Sequence, residues 1–403
     1  MNRYVKTLIA AAGCAALFAS PAMAGRRTAL AGNQLITDKD DTFIFPQLLL
    51  KYRNLIGFDY GGSSDQGSGM LLLGSQTFGF GILVNRTDVN GGFLGENATN
   101  LLAHHMRDYE VGNLGAPASP LNSNGNGVGI GPFLDPKTMV DVLLAMDLGS
   151  SLLGFRLGFG QGLQFQDING NDSTNSLVSL KLSGGLSFGR NMDLAADLVF
   201  ASSENTDVQT GALFGLNANL RGFSPMGDKI DLGYLAQLSF ANQSLTSEGG
   251  DKPADTRLDL ILMGGAGPVY HLNKMNSTIA AYGILAIAYT SRDPNTEADD
   301  NETTALQVIL PGVRMSYELY LTEWLAFRTG MEYTFVFDNR TEAAGDNTFQ
   351  ERKGDFGWNA GIGLVFEDFK LDAAFSHSWI TAGPDFLGGD GNMFTIVSAS
   401  YSF

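Results

Sequence analysis

The feature that most constrains this chain is a strict alternation of bulky apolar residues with small or polar ones. It recurs over residues 153–165, 178–188, 214–221, 230–240 and 325–337. Successive side chains of a β-strand point to opposite faces, so this period of two predicts strands with one apolar face. Strands of soluble sheets average about five or six residues, whereas a tilted strand needs about 9–11 residues to cross a bilayer. The length of the alternation therefore favours membrane-crossing strands with the apolar face towards lipid.

Composition excludes several other classes of protein. Glycine accounts for 51 of the 403 residues, charged residues make up 17%, and the formal net charge is −17. A chain this acidic lacks the basic footprint of a nucleic-acid-binding protein. No run of 18 or more apolar residues occurs, so a helical membrane protein is excluded as well. An all-β membrane protein fits these constraints.

The spacing of the turns predicts the number of strands. Short connections are expected at 74–76, 149–151, 189–191, 224–228, 273–275, 320–322 and 367–368. Longer polar connections are expected between them, at 62–66, 87–137, 167–175, 202–207, 242–253, 292–303, 338–353 and 382–391. This alternation predicts a transmembrane antiparallel up-and-down β-barrel of sixteen strands with short periplasmic turns and both termini in the periplasm. Fourteen strands remain an alternative, because the strands on either side of Gly74 are short.

Residues 1–24 are expected to be a signal peptide. Arg3 and Lys6 precede an apolar run over 7–20, and an Ala-x-Ala site predicts cleavage between Ala24 and Gly25. The single cysteine, Cys14, lies inside this segment, so the mature protein is expected to contain no disulfide and no thiol nucleophile.

The end of the chain carries a second signature. Tyr401 and Phe403 lie on one face of a terminal strand, and Phe403 ends the sequence. Together with the alternation, this resembles Gram-negative outer-membrane β-barrel proteins, whose terminal aromatic residues are the insertion signal for the assembly machinery. The resemblance implies an outer-membrane location, contact with outer-membrane lipid and lipopolysaccharide, and a barrel formed by residues 53–403.

A search for catalytic chemistry yields little. The histidines are His104, His105, His271 and His377; neighbouring residues of a helix or strand point apart, so neither the adjacent pair nor the serines beside His377 form a site. The acidic stretch 167–172 lacks the glycine and glutamate that a calcium loop requires. We therefore expect no enzymatic activity, no cofactor and no metal site.

Charged residues on the inward face are the candidate functional residues. By parity these lumen-lining candidates are Arg156, Lys181, Arg221, Arg328, Asp141, Asp197, Asp231, Asp259 and Glu332. They either form a charge screen across a water-filled pore or pair with one another in a filled barrel. Sixteen-stranded barrels are wide enough for an aqueous channel, which favours the open pore.

Two segments could occupy such a lumen. Residues 25–52 precede the first strand and contain an apolar cluster over 43–50, which is expected to pack in the periplasmic mouth as a possible plug. Residues 87–137 form a loop far longer than usual that either folds inward or caps the barrel outside.

The leading functional hypothesis is a porin-like channel for small solutes. One alternative is a plugged transporter of hydrophobic compounds that resembles the long-chain fatty-acid transporter family, although the Asn-Pro-Ala start associated with that family is absent after Ala24. Another is a structural or adhesion barrel that presents surface loops. The oligomeric state does not follow from the sequence.

Overall fold

The computed structural model describes residues 25–61, 68–84, 138–168, 171–189, 191–205, 209–247, 255–272, 277–293, 303–342, 347–375 and 394–403. The expected signal peptide, the loop 87–137 and the histidines His104, His105 and His377 lie outside these residues. Among the described residues, no helix is both long enough and apolar enough to cross a membrane.

Three short helices precede the strands: α1 (Gly25–Ala29) and two 3-10 helices, Lys39–Phe43 and Pro46–Lys51. The strands follow in chain order as β1 (Leu55–Gly61), β2 (Ser68–Gly74), β3 (Phe78–Val84), β4 (Thr138–Asp147), β5 (Ser151–Ile168), β6 (Asn171–Phe188), β7 (Met192–Asn205), β8 (Gln209–Pro225), β9 (Ile230–Ser247), β10 (Asp255–Leu272), β11 (Ser277–Asp293), β12 (Thr303–Tyr320), β13 (Leu325–Glu342), β14 (Asn347–Phe366), β15 (Phe369–Phe375) and β16 (Phe394–Ser402).

The strands form one closed antiparallel barrel. Each strand pairs with its neighbours in sequence, and β1 closes the barrel by pairing with β16 from Leu55↔Ser402 to Gly61↔Ile396. The prediction of sixteen strands is confirmed, and the alternative of fourteen is wrong. β2 and β3, the short strands on either side of Gly74, each contribute a full seven-residue strand.

Several hairpins are longer than the sequence predicted. The connections expected at 167–175 and 338–353 largely belong to strands, since β5 and β6 remain paired up to Ile168↔Asn171 and β13 and β14 up to Glu342↔Asn347. Polar side chains do not interrupt the ladder, because the backbone donors and acceptors pair whatever the side chain. An 18-residue strand such as β5 rises along the barrel axis by about 45 Å, more than the roughly 25 Å apolar band. These strands extend well beyond the bilayer.

The outer face is apolar, as predicted, whereas the inner face carries both charged residues and apolar residues. Phe155, Leu157 and Phe159 are about half exposed on the outside (47%, 50% and 49%), whereas Arg156 between them is buried inside. Bulky side chains with this exposure are suited to lipid contact. The prediction of a closed β-barrel with an apolar outer face is confirmed.

Residues 25–52, here called the plug segment, lie inside the barrel near the end with the short turns. Phe45, Leu48 and Leu49 are almost completely buried. The wall residues that take part in the attachment of this segment lie close to the short turns. Asp193 is the second residue of β7, and Glu318 lies two residues before the end of β12.

Apolar contacts fix the plug segment against two sides of the barrel. Leu30, Leu35, Phe45 and Leu48 belong to one buried cluster, whose wall residues include Leu235, Met263, Ile284, Ile309 and Val336. Phe43, Leu49 and Leu50 belong to a second cluster, whose wall residues include Leu72, Leu83 and Leu143. The cluster over 43–50 that the sequence singled out is therefore shared between both sides of the lumen.

Inward glycines provide the space for the plug segment. A Cβ at Gly154 would stand 2.1 Å from the backbone nitrogen of Gln47, and a Cβ at Gly330 would stand 2.4 Å from the carbonyl carbon of Leu30. Backbone atoms cannot move aside as a flexible side chain can. These two positions of the wall therefore require glycine.

Candidate functional site: the plugged lumen

The structure places the nine lumen candidates on the interior side of the wall, at two levels of burial. Arg156, Lys181, Arg221, Arg328, Asp141, Asp197 and Glu332 are buried. Asp231 and Asp259 are partly exposed. Ion pairs join most of these residues to one another or to the plug segment.

Arg156 links the wall to the plug segment on one side. Its guanidinium forms an ion pair of 2.8 Å with Asp141 on β4 and donates a hydrogen bond of 2.7 Å to the carbonyl oxygen of Phe43. Gly158 leaves room for this pair, because a Cβ there would stand 2.1 Å from Oδ1 of Asp141. On the neighbouring strands, Lys181 lies 3.8 Å from Asp197.

Arg221 forms the central link between wall and plug segment. Its guanidinium bridges Asp193 on β7 at 2.9 Å and Asp41 of the plug segment at 2.8 Å. The group also lies 4.9 Å from the centre of the Phe45 ring. Asp41 pairs in addition with Arg27 of the plug segment. A fully buried chain of alternating charges thus runs from the barrel wall into the plug.

A third network surrounds Glu318 on β12. Arg26 of the plug segment binds both carboxylate oxygens of Glu318, each at 2.8 Å. Arg328 lies 2.7 Å from Glu318 and 2.6 Å from Asp372. Arg26 also pairs with Asp38 at 2.9 Å. This arrangement fixes the beginning of the plug segment to β12, β13 and β15.

The plug segment carries charges that stay ionised despite burial. Burial by itself would raise the pKa of Asp38, but the positive charges of Arg26, Arg27 and Lys39 outweigh it and hold the pKa well below its ordinary value. Burial would likewise lower the pKa of Lys39, and the carboxylates of Asp40 and Asp59 instead hold it above the ordinary lysine value. The plug segment therefore binds the wall through permanent charges.

Glu332 pairs with Arg314 at 2.6 Å, and Arg314 donates a further hydrogen bond of 3.2 Å to the carbonyl oxygen of Gly32. The two remaining candidates have other partners. Asp231 lies 2.9 Å from Nε2 of His271 near the short turns, and Asp259 accepts a hydrogen bond of 2.7 Å from Thr290.

Several charged residues of these networks were not among the lumen-lining candidates predicted from the sequence. The unrecognised wall residues are Asp193, Arg314, Glu318 and Asp372, each a charge between outward-facing apolar neighbours, so the alternation contained the signal. On β12 the register shifts between Ile309 and Gly312, and this bulge determines which parity faces inward. The plug charges Arg26, Arg27 and Asp41 lie outside any strand and carry no such signal.

The interior charges serve as ion pairs in a filled lumen. Of the two arrangements left open by the sequence, internal pairing is the one present at Arg156, Arg221, Arg328 and Glu332. The described residues include no group of three or more His, Cys, Asp or Glu side chains that could hold a metal ion.

No protein-family model and no curated protein matches this chain. Solved structures that resemble it include the Pseudomonas putida toluene transporter TodX, at 10% identity with a TM-score of 0.37, covering 96% of this chain and all of that one. CymD, a monoaromatic hydrocarbon channel, has 10% identity and a TM-score of 0.38, covering 96% and 98%. The translocator domain of the autotransporter NalP from Neisseria meningitidis has 13% identity and a TM-score of 0.30, covering 64% and 90%. At such identities, the function of this chain has to follow from its own residues.

Proposed function

We propose that this protein is an outer-membrane channel for small solutes whose lumen is occluded by the plug segment, and that it acts in transport without catalysis. The observation that carries the proposal is the position of residues 25–52. Phe45 and Leu49 have no exposed surface inside a barrel whose width otherwise suits an aqueous channel. Ion pairs from Arg26 to Glu318 and from Asp41 to Arg221 hold the segment from two directions. Solutes then pass when the segment shifts.

Planar-bilayer recording tests this proposal directly. We expect small or rare conductance steps from the full-length mature protein and large, stable ones from a variant that lacks residues 26–50. Removing the plug segment empties the lumen, while the closed sixteen-strand ladder remains paired. Heat-modifiable gel mobility provides the control for barrel folding in both proteins. Folded protein without conductance in either form would overturn the proposal.

A specific observation also favours apolar solutes. Where the sequence predicted a polar interior, the wall on β10–β13 presents Met263, Ile284, Ile309 and Val336 inward, against the apolar side chains of the plug segment. A shift of the plug segment exposes this surface, which suits the apolar chain of a solute.

A comparison of the uptake of two probes tests the solute class. In proteoliposomes, we expect octanesulfonate, whose permanent charge prevents rapid unaided passage through lipid, to enter through the barrel faster than glucose does. Ile309→Asn should reduce the octanesulfonate flux and spare the glucose flux, whereas Leu310→Asn, an outward-facing neighbour that is 51% exposed, serves as the matched control. Equal effects of Ile309→Asn on both fluxes would contradict an apolar path.

We further infer that the end with the short turns faces the periplasm. The apolar outer face of the barrel then contacts outer-membrane lipid and lipopolysaccharide. Both ends of the barrel sequence, Leu55 and Phe403, lie at that end, and the connections there span only two to four residues. Tyr401 and Phe403 are the proposed insertion signal for the assembly machinery. Ser150→Cys introduces a single thiol in one short turn, and we expect a membrane-impermeant maleimide to label it only in permeabilised cells. Labelling in intact cells would reverse the orientation.

A further inference from the structure

We propose that the α-ammonium group created by cleavage before Gly25 is buried inside the barrel and acts as a latch for the plug segment, with Ser398 as its binding residue. This proposal rests on the signal-peptide cleavage predicted from the sequence. It goes beyond the proposed channel, because it assigns a structural role to the processing event itself.

The geometry around Gly25 is that of a small cage of oxygen atoms. The Gly25 nitrogen donates a hydrogen bond of 2.5 Å to Oγ of Ser398, across 373 residues of sequence. A Cβ at Gly25 would stand 2.8 Å from the carbonyl oxygen of Asp372 and 3.3 Å from that of Ile396. Gly25 itself is buried. The nitrogen thus lies against two wall strands, β15 and β16, at a site that admits only glycine.

A free amino terminus suits this cage better than a peptide bond. A peptide nitrogen offers one hydrogen-bond donor, whereas an ammonium group offers three and carries a positive charge. Buried polar groups need such partners, since an unsatisfied buried donor or charge is costly. The Ser398 hydroxyl accepts one hydrogen bond from this nitrogen, and the carbonyl oxygens of Asp372 and Ile396 lie close to Gly25.

Charged side chains of both signs lie beside this place. Arg26 and Arg328 bind the carboxylates of Asp38, Glu318 and Asp372, and the positive charges of Arg27 and Lys39 also act on Asp38. The α-ammonium group directly precedes Arg26 in the chain, so it adds its charge to this network.

The consequence is an order of events. Before cleavage, Gly25 offers Ser398 a single peptide N–H and no charge. After cleavage, the ammonium group offers three donors and a positive charge at the same place, so the attachment of the plug segment to β16 becomes stronger. Cleavage thereby strengthens the retention of the plug segment.

Amine labelling of the mature protein tests the latch independently of conductance. Reductive methylation near neutral pH normally modifies an α-amino group faster than lysine, because its pKa is lower. In the folded barrel we expect the Gly25 amine to react at least about tenfold more slowly than in the unfolded chain, since it is released only by local opening. The exposed lysines Lys51 and Lys370 serve as internal references. Peptide mass spectrometry reads all three and also shows whether the chain begins at Gly25.

Two variants separate the latch from general loosening. Ser398→Ala should raise the labelling rate of the Gly25 amine several-fold, whereas Ser400→Ala, a buried inward serine two residues further along β16, should leave it unchanged. Inserting one serine between Ala24 and Gly25 moves the charge by about 3.8 Å and should increase the conductance of an otherwise folded barrel. A mature chain that begins elsewhere, a Gly25 amine that reacts as fast as in the unfolded chain, or equal labelling in the two serine variants would each overturn the inference. None of these outcomes depends on whether the barrel conducts small solutes.

Discussion

Arg221 shows at the scale of one residue how the plug segment is attached to the wall. Its side chain is completely buried, and it pairs with one carboxylate of the wall and one of the plug segment. Arg221→Met keeps the unbranched stem of the side chain but removes the guanidinium group, which leaves Asp41 and Asp193 with less compensation. Removing one partner of a buried pair typically costs about 3–5 kcal/mol. We expect larger conductance in planar bilayers and faster proteolysis of the plug segment, with Arg352→Met, at an exposed arginine, as the control. Unchanged conductance would show that the apolar contacts alone retain the segment.

The same residue-scale electrostatics predicts how retention of the plug segment depends on pH. The folded pKa of Asp38 is depressed, so its stabilising contribution is present above its unfolded pKa of about 3.9 and is lost only as pH falls through the lower folded value. The folded pKa of Lys39 is raised, so its contribution is present below the unfolded value of about 10.4 and is lost only as pH rises through the higher one. We therefore expect Asp38 and Lys39 to keep the segment seated between about pH 5 and pH 9. Single-channel recording across this range should show constant closure, and opening near pH 6 would contradict this expectation.

At the scale of elements, strand glycines determine whether the plug segment fits. Gly330 on β13 faces the Leu30 backbone, so Gly330→Val should displace the segment while leaving the strand intact, because valine favours strands. Gly357→Val on the neighbouring β14 is the matched control, since a Cβ there would meet no atom within 4 Å. We expect higher conductance only for the first variant, with both barrels heat-modifiable. Similar conductance in the two variants would mean that the close approach at Gly330 does not control closure.

The closing strand β16 leads to a second prediction at this scale. Phe403 donates a backbone hydrogen bond of 2.9 Å to Asn54, its ring stacks near Tyr401, and it is 60% exposed at the barrel edge. Deleting it removes about 2–3 kcal/mol of apolar contact, which a folded barrel survives. We expect outer-membrane levels in cells to fall several-fold, while refolding into micelles stays efficient. Unchanged cellular levels would show that Phe403 is not an insertion signal here.

At the scale of the whole molecule, the barrel and the plug segment are stabilised by different means. The ladder closes from β1 to β16 through backbone pairing alone. The plug segment consists of three short helices and the turns between them, and it is attached to the wall through residues such as Arg156, Arg221 and Glu318. A barrel can therefore keep its fold while its plug segment moves, which is the property a gated channel needs.

The number of strands and the apolar face of most of them could be predicted from the sequence, whereas the ends of the longer hairpins and the inward parity beyond the bulge on β12 could not. The predictable features follow from a local pattern of period two, because successive side chains of a strand such as β5 face lipid and the interior in turn. Only the tertiary structure decided what fills the interior. Asp41 meets Arg221 across 180 residues and Arg26 meets Glu318 across 292, and no local pattern encodes such pairs. An inward charge has the same parity in a water-filled pore as in a plugged one. Its ion-pair partner therefore cannot be predicted from the pattern of the sequence and is known only from the folded structure.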